Sequence, residues 1–129
     1  MKIRYFDIGD EDWSVLICFD LKILDEYQMR SYMMSFGLRG HELDKAIDIL
    51  LLQKNTGMSI SSLRKRMSII FIGNATDESQ WWDTVDHELY HVQQAILDYY
   101  SVPPDSEAGA WTMGYMMRKT VQQIAEPCK

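Results

Sequence analysis

A chain of 129 residues has the length of one domain, which is enough to bury a core. Hydrophobic residues make up 47% and charged residues 25%, a globular composition that excludes wholesale disorder. The formal net charge of −6 argues against a nucleic-acid partner, because binding phosphates needs a positive field.

Lys2 to Phe6 and Trp13 to Phe19 are rich in β-branched and aromatic residues and flank the turn signal Gly9-Asp10, so they read as a hairpin. Asp20 to Phe36 carries apolar residues at helical spacing, among them Leu24, Tyr27 and Met34, and predicts a helix closed by Gly37. A second helix follows Gly40, with Leu43, Ala46, Ile47, Leu50 and Leu51 as its stripe and Asn55-Thr56-Gly57 as its stop. Met58 to Leu63 fits neither period. Arg64-Lys65-Arg66, flanked by serines, reads as a solvated turn. Arg66 to Ile72 predicts a buried strand, because Ile69-Ile70-Phe71-Ile72 is short, continuous and bounded by Gly73-Asn74.

The longest helical signal runs from Ser79 to Tyr100, where Pro103-Pro104 breaks it. Asp105 or Ser106 then caps a last helix reaching about Ala125, stopped by Pro127. No repeat or linker divides the sequence, so residues 1–129 read as one α+β domain, helices packed on a small twisted sheet. Cys18 and Cys128 read as free thiols of a reducing compartment. The first residues lack the apolar run of an export signal, and stretches such as Ile47 to Leu52 are too short for a bilayer. The expectation is a cytoplasmic protein without a membrane partner.

The long helix contains His87-Glu88-Leu89-Tyr90-His91, an H-E-x-x-H pattern. Positions i and i+4 share a helix face one turn apart, so both imidazoles can reach one ion, and zinc accepts such nitrogen ligands. Glu88 projects beside that pair, where a carboxylate can take a proton from a water that the metal acidifies. Val85, Leu89, Val92, Ile96 and Tyr99 form an apolar stripe on the same helix, nearly opposite the histidines.

A catalytic zinc site needs a third protein ligand. His41 opens the second helix and has Lys45 where a partner imidazole would stand, so it reads as an exposed helix-start residue. Glu107, at the opening of the last helix, is the stronger candidate. It shares a face with Ala110, Trp111, Gly114 and Arg118, and the small residues there suit a close approach to the long helix. Asp98, on the histidine side of the long helix, is the alternative. Asp83 and Asp98 could hold an imidazole N–H, and Tyr115 and Arg118 could stabilise a developing oxyanion.

At these residues the chain resembles the gluzincins, zinc peptidases that combine H-E-x-x-H with a glutamate ligand on a following helix. It looks most like their minimal single-domain members, small proteins encoded by bacteria and phages. The resemblance spans about Ile69 to Arg118 and rests on His87-Glu88-Leu89-Tyr90-His91 and Glu107-Ala108-Gly109-Ala110-Trp111. It implies a zincin-like fold, zinc held by His87, His91 and Glu107, Glu88 as base, and a peptide or protein substrate. It also implies that the strand Arg66 to Ile72 pairs with an extended substrate through its edge. The competing class is a zinc-bearing regulatory or protein-binding module with negligible turnover.

Overall fold

The computed structural model describes residues 1–124, without the side chains of Asp10 and Glu11. Pro127 and Cys128, read above as a helix stop and a free thiol, lie outside the described residues. The elements in chain order are β1 (Lys2–Ile8), α1 (Gly9–Asp12), β2 (Trp13–Phe19), α2 (Glu26–Ser35), α3 (Gly40–Leu52), β3 (Gly57–Ser62), β4 (Met67–Ile72), α4 (Glu78–Tyr99) and α5 (Glu107–Gln123).

β1 and β2 form the expected antiparallel hairpin, in register from Lys2 opposite Phe19 to Ile8 opposite Trp13. β2 pairs parallel with β4, which pairs antiparallel with β3, so the sheet is mixed and ordered β1-β2-β4-β3. The fold is therefore α+β, with helices on both faces of the sheet. α4 and α5 cover the face carrying Trp13, Val15, Ile17, Phe19, Ile70 and Ile72. α2 and α3 cover the other, where Cys18, Ile69 and Phe71 lie. This accounts for the unbroken Ile69-Ile70-Phe71-Ile72 run: a central strand buried on both faces has no polar side to show.

Met58 to Leu63, unassigned by its sequence, is largely β3. Arg64-Lys65-Arg66 is the exposed β3–β4 turn that its charge suggested, with Arg66 at φ +51°. The Lys65 ammonium reaches across to the Ser35 carbonyl at 2.8 Å.

The helix expected over Asp20 to Phe36 begins later. Asp20 takes φ +55°, a tight helical turn spans Ile23–Asp25, and only then does α2 start. Leu24, Tyr27 and Met34 are exposed, and Met29 and Met33 make the contact with the core. Tyr27 and Met34 share one face of α2, about 100° or more round the helix from Met29 and Met33, and only the second face meets the core; Leu24 stands in the tight turn ahead of the helix. Gly37, at φ +99°, closes the helix as its position suggested. In α3 the buried residues are Leu43, Ala46, Ile47 and Leu50, the stripe read from sequence, and His41 is exposed.

The two sheet edges differ. Along the outer edge of β1 the Gln123 amide acts like a short peptide. Its Nε2 donates to the Tyr5 carbonyl at 2.6 Å, and its Oε1 accepts from the Tyr5 N–H at 3.3 Å. The other edge is β3, which lies beside α4. Among the described residues no helix is long and apolar enough to cross a membrane.

Candidate metal centre

α4 is fixed at its start by Asp77, whose side chain accepts from the Gln80 N–H at 2.8 Å. Trp81, Val85, Leu89, Val92 and Ile96 bury one face against the sheet. Tyr99, expected on that face, is partly exposed near the helix end. With the apolar face fixed, the period of the helix turns His87 and His91 outward, and both are exposed.

Their Nε2 atoms lie 3.2 Å apart. Two nitrogens each about 2.0–2.1 Å from a tetrahedral zinc are separated by about 3.3 Å, so the pair already has the span of a chelate. The same distance suits an N–H···N hydrogen bond between neutral rings. Ligand atoms of His87, Glu88 and His91 all fall within 4.8 Å of one another, and the two-nitrogen, one-oxygen donor set suits zinc.

Glu88 differs from the histidines in being only 4% exposed. Burial pushes its carboxyl pKa above the ordinary value, and the charges of His87 and His91 act in the opposite direction. Gly57 is what makes room for it. A Cβ at Gly57 would stand 2.6 Å from Thr84 Cγ2, 3.0 Å from Glu88 Cγ and 3.2 Å from the Phe71 carbonyl oxygen. The edge strand can therefore lie directly on the glutamate only where it has no side chain.

Two open hollows flank the group. One, of about 470 Å³, lies between β3 and α4 and is lined by Gly57, Ser59, Ser61, Glu88 and His91 among others. The second, of about 340 Å³, continues past Thr56, Gly57, Asp83, Thr84 and His87. Together they form a groove along β3. The strand suggested for substrate pairing is consequently a different one: β4 is bonded to β2 and β3 on its two sides, and the free edge belongs to β3.

α5 lies along the other flank of α4, toward β1. Ser106 caps it, and the Gln93 amide donates to the Gly109 carbonyl at 3.0 Å. A Cβ at Gly109 would stand 2.2 Å from the Pro104 carbonyl oxygen and 3.0 Å from Gln93 Nε2, so this glycine carries the close approach. Ala110 and Gly114, expected to do so, are exposed, because α5 buries Gly109, Thr112, Met116 and Thr120 instead. Trp111, Arg118 and Glu107 share that exposed side. Glu107 thus opens α5 on the Gln93 side of α4, about 200° round the helix from His91, and it is not one of the three residues whose ligand atoms cluster.

The remaining candidates are dispersed. Asp83 lines the groove beside His87, whereas Asp98 lies near the end of α4, and neither hydrogen-bonds a histidine in the described structure. The Tyr115 phenol donates to the Asp7 carbonyl at 3.1 Å, which commits it to β1 and not to an oxyanion. The Arg118 guanidinium stacks over the Tyr115 ring.

Gly57, which the sequence marks only as a helix stop, forms the groove wall together with Ser59 and Ser61, which carry no site signal of their own. Their alternation, G-x-S-x-S, is the period of a strand presenting small residues to one side, with Met58 and Ile60 turned to the opposite core. No protein-family model, curated protein or solved structure matches the chain.

Proposed function

We propose that the protein is a zinc-dependent peptidase whose metal is held by His87, His91 and Glu107. The observation that carries this reading is the 3.2 Å span between the two exposed Nε2 atoms, with a buried carboxyl beside them and an open strand edge alongside. Glu107 enters as the third ligand that the resemblance to the gluzincins implies; the Gln93–Gly109 bond holds the start of α5 to α4 on the flank away from the histidines. When bound, zinc there supplies Lewis acidity and lowers the pKa of a water to about 7. Glu88, shielded from solvent on the β3 side, would serve as the general base, accepting a proton from the attacking water and delivering one to the leaving amine. The β3 edge offers main-chain donors and acceptors to an extended peptide.

A second reading has its own observation: among the described residues, the clustered group holds two histidines and Glu88 with no further ligand. That favours a weakly metallated regulatory or protein-binding module of the same fold. Zinc content and hydrolysis of an unfolded protein such as casein separate the two. The peptidase reading expects about one zinc per chain and a Glu88→Gln variant that keeps its metal but loses activity by roughly a hundredfold or more. Equal activity in that variant would remove Glu88 from the mechanism. A Glu107→Ala variant that binds zinc as tightly as the parent would favour the binding module.

A further inference from the structure

We infer that Ser61 is a substrate-binding residue of the groove, its hydroxyl donating a hydrogen bond to a carbonyl oxygen of a peptide that lies along β3. This rests on the peptidase reading above.

The direction of that donation is set from inside the protein. The indole N–H of Trp13 is a donor only, and it points at Ser68 Oγ, 3.0 Å away. Ser68 is fully buried, so its own proton needs an acceptor. Its single remaining side-chain partner among the described residues is Ser61 Oγ at 2.7 Å, directly opposite in the β3–β4 register. Ser68 therefore donates to Ser61. The Ser61 oxygen accepts on its inner side, and its proton is left for the groove it lines together with Glu88 and His91. Ser59 lines the same groove without such a partner among the described residues, so no buried donor aims its hydroxyl. The result is one oriented donor on the wall of the groove, fixed by a buried indole.

A carbonyl oxygen fits this donor because it has two lone pairs, one for the β3 main chain and one for Ser61. A directed donor that needs no reorganisation when substrate arrives adds affinity without an ordering penalty.

The test uses the zinc-loaded chain and trialanine hydroxamate, a peptide with a metal-chelating end, with affinity read by calorimetry and zinc content by mass spectrometry. Ser61→Ala should weaken the hydroxamate about tenfold with zinc affinity unchanged, the loss expected for one hydrogen bond. Ser61→Thr, which keeps the hydroxyl, should stay within about twofold. If Ser61→Ala folds poorly because Ser68 loses its acceptor, the Trp13→Phe, Ser61→Ala, Ser68→Ala variant removes the whole hydrogen-bond chain without orphaning the indole N–H and should show the same loss. Unchanged hydroxamate affinity with zinc in place would overturn the role of Ser61 alone. Zinc binding without any hydroxamate binding would remove the peptide groove and leave the metal site. A parent chain that takes up no zinc would remove the metal reading and this inference together.

Discussion

The Glu88 carboxyl sits in the seam between α4 and β3, and the sign of its effect on stability follows from that position. Its folded pKa is raised, so the folded chain binds this proton more tightly than the unfolded chain does. The stabilisation is complete below the unfolded value near 4.5 and is lost as pH rises through the folded value. In the presence of a chelator, Glu88→Gln should melt close to the parent at pH 4 and above it at pH 7.5. Parallel melting curves at both pH values would mean that the carboxyl is solvated in the native state. His87, Glu88 and His91 were legible from the sequence because one helical period is enough to bring them together. Gly57 and Ser61 were not, since their roles arise from which strand neighbours α4, and no local pattern encodes that.

Elements were legible where one apolar stripe dominated and ambiguous where apolar residues fall on two faces. α3 and β4 announce themselves, the one by its stripe and the other by four consecutive buried residues. α2 does not, since it carries apolar residues on two faces, Tyr27 and Met34 on one and Met29 and Met33 on the other, and only packing selects the second. β3 was ambiguous because Gly57, Ser59 and Ser61 have little strand preference, and it forms through pairing with β4. For α5 both the helix and its cap were readable, but the buried face was not. Two glycines measure that difference. Gly109→Ala should cost roughly 1–3 kcal/mol, because the new methyl meets the rigid Pro104 carbonyl. Gly114→Ala, exposed and with nothing within 4 Å of the new atom, should stabilise by about 0.5–1 kcal/mol. Urea unfolding of the two variants checks the pair, and a reversed order would place the α4–α5 contact on the other face.

Across the whole molecule the sheet separates two cores, and Cys18 belongs to the one under α2 and α3. Burial pushes its thiol up to about 12, leaving roughly one thiolate in ten thousand at pH 8. In a Cys128→Ser background the native chain should therefore react with a thiol reagent only as fast as it opens, and added urea should accelerate the reaction steeply. A stoichiometric reaction within seconds in native buffer would show that this core is open to solvent.

The Gln123 clasp on β1 has a further consequence for colloidal behaviour. An uncovered strand margin invites other chains to stack onto it, and covering the margin is how soluble proteins avoid becoming templates for fibrils. Here the side chain of a helix end closes one margin, while the margin beside the histidines stays accessible. Gln123→Ala should reopen the closed side, and light scattering during concentration should rise earlier than for the parent. Self-association that β3 permits would bury the histidine groove, whereas association through a bared β1 would leave it open, so zinc uptake by the aggregates distinguishes the two routes.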